Sequence, residues 1–148
     1  MTSLHFRVPI EPFGKARPRF STACGRPVAY TTEKTRSGER MIRQYARRAM
    51  GDRYPFPKGT PVRVDVEAAF SIPKSYTKQK HEQCAKHDLW PVKKPDIDNI
   101  IKALLDALND SVFYDDCQVI ELHVSKTYVE GDGYIDVSCE ALEQPIKE

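Results

Sequence analysis

Residues 62–72, Val-Arg-Val-Asp-Val-Glu-Ala-Ala-Phe-Ser-Ile, place an apolar side chain at every second position, with Pro73 following. Period-two alternation marks a strand with one buried face, and a proline cannot continue the hydrogen-bonded ladder. Working outward, residues 74–94 are basic and polar, with room for a short helix around Lys78–Lys86. Beyond them Ile100, Ile101, Leu104, Leu105 and Leu108 recur at the spacing of one buried helical face, with Asp98 or Asn99 expected as the cap. Val119–Val129 and Tyr134–Cys139 read as two strands around Glu130-Gly131-Asp132-Gly133, a turn composition that predicts an antiparallel hairpin.

Upstream, a helix is expected from about Thr32 to Met50, with an apolar stripe of Ile42, Tyr45, Ala46 and Ala49 and Gly51 as its C-cap. Its other face carries Arg40, Arg43, Arg47 and Arg48. Residues 11–31 are rich in Pro, Gly and Arg and read as an irregular basic loop, with a short extended piece at Pro27–Tyr30. Leu4, Phe6, Val8 and Ile10 alternate as a first strand, and Pro9 suits the edge of a sheet. The order β, loop, α, β, short α, α, β, β predicts an α+β fold: a single two-layer domain over residues 1–148, with a mixed, mostly antiparallel sheet packed with helices.

The chain has 148 residues, 40% of them apolar, enough for one domain with its own core. No run approaches the roughly 18–20 apolar residues of a membrane span, and the first ten residues lack a signal-peptide core, so a cytoplasmic protein with no membrane partner is expected. Cys24, Cys84, Cys117 and Cys139 form no CxxC pair, and no disulfide is expected. The net charge of +2 conceals an asymmetry: residues 1–94 carry +12 and residues 95–148 carry −10. Either a basic surface serves an anionic ligand beside an acidic cluster that needs cations, or the two halves attract each other within one fold.

Asp96 and Asp98 follow Pro95 two residues apart, a spacing that in extended chain turns both carboxylates to one side, where they can grip a cation; the competing reading is helix capping. Asp115–Asp116 form a second pair at the head of the next strand, where Asp also favours turns. Three carboxylates within about 5 Å would repel by roughly 3 kcal/mol per pair at an effective dielectric near 20. Such a set relieves itself by shifting its pKa values or by taking a hard cation, and all-oxygen donors favour Mg²⁺ or Mn²⁺ over zinc. Lys102, one helical turn after Asp98, is placed to project toward the same site or to pair with Asp98 or Asp106. Lys15, Arg17 and Arg19, interleaved with Phe13 and Phe20, suit a phosphate-tracking loop or a solvated one, and Lys93 and Lys94 carry positive charge up to the acidic pair. His81, Cys84 and His87 have no obvious fourth partner for zinc.

Read as one string, Lys94-Pro95-Asp96-Ile97-Asp98-Asn99, then Lys102, Asp106-Ala107-Leu108 and Asp115-Asp116 with Gln118-Val119, resembles the signature of the RusA family of Holliday junction resolvases. The match is strongest over residues 93–120, and the Lys-x-Arg-Pro-Arg of residues 15–19 resembles phage-type members, many of which are encoded by prophages. The resemblance implies a small homodimeric endonuclease that uses Mg²⁺, with Mn²⁺ an acceptable substitute, to cut four-way DNA junctions in matched pairs. It implies Asp96, Asp98 and Asp116 as metal-holding carboxylates, Lys102 as the functional lysine, and Asp115 as a turn or supporting residue. Three alternatives stay open: a nuclease of broader range acting on flaps and other branched DNA, a non-catalytic DNA-binding module, and a protein-interaction domain with balanced halves.

Overall fold

A computed structural model describes residues 1–16, 19–23, 25–30 and 32–146, with backbone alone at 19 and 28–30. The alternating segment forms β4 (Val62–Ser71), and it lies inside the sheet. Its neighbours are β6 (Tyr134–Ala141), antiparallel, and β5 (Val119–Val129), parallel; β1 (Ser3–Val8) completes the order β1-β6-β4-β5 on the far side of β6. The sheet is therefore mixed and mostly antiparallel, as expected, and β1 is an edge strand.

The expected hairpin of the last two strands does not form. Glu130–Gly133 carry the chain over the end of β4, which is inserted between β5 and β6. Four residues easily span the two strand spacings, about 10 Å, that this crossing requires. The crossing is fastened at Ser71, whose backbone N–H donates to the Glu11 carboxylate at 2.7 Å and whose hydroxyl oxygen accepts from the Gly133 N–H at 3.0 Å. The physical reason is burial: Val62, Val64, Val66, Ala68, Ala69 and Phe70 of β4 are all buried, and an inner strand protects both edges of the most apolar segment.

One face of the sheet is covered by α1 (Glu33–Met50) and α3 (Ile97–Leu108). Leu4, Phe6, Val8, Val64, Ile135 and Val137 meet Ile42, Ala46, Leu104 and Leu108 in the main core. At the far end of β4, α2 (Lys78–Ala85) closes a smaller cluster in which Cys84 packs with Phe70, Ile72, Tyr128 and Ile100. Within the basic loop, β2 (Arg19–Ser21) and β3 (Val28–Tyr30) pair antiparallel, where only the second was expected as extended chain. Arg17 and Cys24 lie outside the described residues.

Phe13 anchors the basic loop against α1. A Cβ on Gly38 would lie 2.3 Å from the Phe13 ring, so glycine at this helical position makes room for the aromatic. Gly14 is equally confined, since a Cβ there would meet the Cβ atoms of Pro95 and Asn99 at 3.0 and 3.1 Å. The loop is thus laid along the start of α3, and the Lys15 N–H donates to the Asn99 carbonyl at 2.9 Å.

Candidate active site

Asp96 ends the extended segment after Pro95 and is the N-cap of α3, although its side chain accepts no capping hydrogen bond. This corrects the expected cap, Asp98 or Asn99: the helix starts at Ile97, so Asp98 lies in its first turn. Both carboxylates sit at the positive end of the helix dipole with solvent before them. Asp96 accepts from Lys94 Nζ at 2.8 Å, whereas Asp98 and Lys102 have no ion-pair partner among the described residues.

The acidic pair faces a lysine cluster. Lys126 of β5 donates to the Lys93 carbonyl, and both ammonium groups stand 5.5–5.6 Å from the Phe70 ring centre. Burial pushes the Lys126 ammonium below its ordinary pKa; Asp96 opposes this, and Lys93 and Lys94 add to it. Lys126 is a candidate site residue that sequence reasoning missed, yet its signal was legible. It interrupts the apolar face that Leu122, Val124 and Tyr128 share with Val64, Val66 and Phe70 through the register of β4 and β5.

Asp116 opens a three-residue 3₁₀ turn, Asp116–Gln118, just before β5. Asp115 caps that turn by accepting from the Cys117 N–H at 3.1 Å, and this contact holds its carboxyl below the usual range. The hydrogen bond with Asp115, burial, and the negative fields of Asp115 and Asp106 hold the Asp116 carboxyl above it. Gln118 is buried and fixes the segment: its amide donates to the carbonyls of Pro57 and Thr60, and its oxygen accepts from the N–H groups of Tyr114 and Asp115.

Asp106, eight residues and about 12 Å of helix beyond Asp98, is close enough to Asp116 for its charge to be felt there. Among the described residues no group of three His, Cys, Asp or Glu side chains has metal-holding geometry within one chain. The donors suit Mg²⁺ in kind, being carboxylate oxygens.

The remaining candidates have settled partners. Lys15 bridges α1 and α3, with Nζ 2.6 Å from Glu39 and 2.9 Å from Asp106. Burial works against its charge, but the two carboxylates outweigh burial and hold its pKa above the ordinary value. His87 meets the Thr127 hydroxyl at 3.0 Å and stacks on Trp90, while His81 pairs with Glu130 at 3.5 Å. Arg19 is described by its backbone alone, as part of β2.

Residues 9–139 match the family of the endodeoxyribonuclease RusA. The chain belongs to the RusA endodeoxyribonuclease family. It is also 36% identical over 133 residues to the uncharacterized protein YqaN of Bacillus subtilis (strain 168), covering 88% of this chain and 91% of that protein. Membership in the RusA family makes the chain a DNA endonuclease by descent. Among the described residues, no helix is long and apolar enough to cross a membrane.

Proposed function

We propose that this RusA-family chain is a Mg²⁺-dependent endodeoxyribonuclease that resolves four-way DNA junctions by paired, symmetric hydrolysis of phosphodiesters. The observation that carries the reading is the pairing of opposites at the start of α3: Asp96 and Asp98 open to solvent, with Lys93, Lys94 and Lys126 beside them and Lys102 unpaired one turn along. Carboxylates alone would repel a DNA backbone, and lysines alone would bind it without acting on it. Together they hold a scissile phosphate next to oxygen donors for a hard cation.

Asp96 and Asp98, with Asp116 as the third carboxylate, would hold Mg²⁺, which when bound would supply an activated water and Lewis acidity toward the phosphoryl oxygens. Lys102 adds positive charge where the pentavalent phosphorus gathers negative charge, and its lack of a competing carboxylate keeps it available for this role. Lys93 and Lys94 hold the flanking phosphates and set the strand's position without reading its bases. Lys15, already neutralised by Glu39 and Asp106, keeps the basic loop on α3.

The test is incubation of purified protein with a labelled four-way junction, a flap and a linear duplex, each with Mg²⁺ or EDTA. Symmetric paired cuts on the junction, absent with EDTA, are expected. Cutting of every branched form would replace the reading with a broader nuclease, and binding without cutting would leave a DNA-binding module.

A further inference from the structure

The pairing of β5 with β4 sets Lys126 opposite Ala68, in a row where Val124 lies opposite Val66 and Tyr128 opposite Phe70. Val66, Ala68, Phe70 and Tyr128 are all buried, and Lys126 itself is half-buried. A lysine in such a row works against stability, because its ammonium is drawn partly out of water where an aliphatic side chain would pack without that penalty. The small side chain of Ala68 leaves room for its stem.

What the fold returns for this burial is slight. The Lys126 ammonium donates to the Lys93 carbonyl and stands 5.5 Å from the Phe70 ring centre, and the Lys93 ammonium stands 5.6 Å from the same centre. Among the described residues neither lysine has a carboxylate within ion-pair distance, and the nearby Asp96 is already held by Lys94 at 2.8 Å. These groups line one groove of about 650 Å³, with Val92 and Ile97 as its apolar walls. Three lysines against one aspartate leave that groove positive, and Val92 and Ile97, 94% and 43% exposed, keep it open to solvent.

We propose that Lys126 is a substrate-positioning residue: its ammonium, with that of Lys93, seats one phosphate of a DNA strand in this groove and holds the neighbouring phosphodiester before Asp96 and Asp98. An ammonium has three N–H donors, so one spent on the Lys93 carbonyl leaves two for phosphate oxygens. Lys94 lies on a loop with its side chain 83% exposed, whereas Lys126 stands on a strand of the main sheet, which fixes its ammonium more closely. No carboxylate has to be displaced from Lys126 when the phosphate arrives. Seating a phosphate requires DNA binding alone, while holding the bond to be cut rests on the nuclease reading.

The test is Lys126→Met, which keeps the stem and removes the charge. Its Tm should match or exceed that of the wild type, since a thioether suits the apolar row. In titrations with junction DNA at several salt concentrations and no divalent cation, binding should weaken roughly eightfold at 0.1 M salt and the salt slope should fall by about one. With Mg²⁺ and saturating protein, the cleavage rate should drop about tenfold or more, as expected when a reacting group loses its placement. Lys126→Arg should recover much of both losses, whereas Lys126→Gln, which can still donate to the Lys93 carbonyl, should recover neither. These two variants decide the matter if Lys126→Met does not fold. An unchanged salt slope, or wild-type affinity in Lys126→Gln, overturns the phosphate seat, and a saturated rate equal to that of the wild type overturns the positioning. If the wild type binds DNA but cuts nothing, the nuclease reading fails while the seat still stands or falls by the salt slope.

Discussion

Asp98 and Lys102 stand one turn apart on the solvent side of α3, exposed and without ion-pair partners among the described residues. Nothing in the fold requires either charge, so their removal should leave stability intact. Asp98→Asn is expected to cut junction cleavage by about a hundredfold or more while binding holds or tightens, since it removes an oxygen donor and a repulsion from phosphate. Gel shift and cleavage assays on one preparation check both halves. Lys102→Ala should lower the cleavage rate more than affinity. Lys15 is the contrary case. Its position in a Lys-x-Arg-Pro-Arg run read as a DNA contact, but its two carboxylate partners come from α1 and α3, 24 and 91 residues away, and no local pattern announces them. Lys15→Met should cost about 1–3 kcal/mol, between exposed and buried pairs, or a fall in Tm of roughly 3–9 °C. Because the Lys15 pKa is raised in the fold, its contribution is fully present below the ordinary lysine value near 10.4 and disappears as pH rises through the raised one. The Tm gap between wild type and variant should therefore persist from neutral pH to about pH 10 and close only as pH rises through the raised value.

At the scale of elements, α1, β4 and α3 appear where periodicity placed them, because each buries a face whose repeat is written in consecutive residues, whereas α2 buries only Cys84. The end of the chain was legible as two strands but not as their partners. Glu130–Gly133 has hairpin composition, and Gly131 takes the expected positive φ of 82°, yet the choice between hairpin and crossing depends on what else competes for each edge. β4 wins both positions through its buried side chains. The 3₁₀ turn at Asp116–Gln118 rests on Gln118, which answers four backbone groups from inside the protein. Gln118→Ala leaves the Pro57 and Thr60 carbonyls unanswered and should destabilise by about 1–3 kcal/mol in chemical unfolding. The same variant should weaken cleavage, since it loosens the turn that aims Asp116.

For the whole molecule, the split between a basic first part and an acidic second part is resolved in two ways at once. Part of it closes internally, as in Lys15 with Asp106, and part remains as a lysine cluster beside the start of α3. If that cluster engages phosphates, junction affinity should fall linearly with salt on a log–log plot, with a slope near −0.9 per phosphate neutralised. Lys94→Ala should weaken all DNA substrates alike and lower the slope by about one per site, as read by binding titrations at several salt concentrations.

The chain's sequence by itself determined the α+β class, the strand at 62–72, the amphipathic helices and the acidic string with its lysine, because each is a matter of spacing between near neighbours. Tertiary structure alone decided that β4 separates the last two strands, that Lys15 is neutralised, that Lys126 joins Lys93 and Lys94, and that Asp116 feels the charge of Asp106. Each of these is a contact between residues remote in the chain, set by competition for burial and charge that no local pattern records.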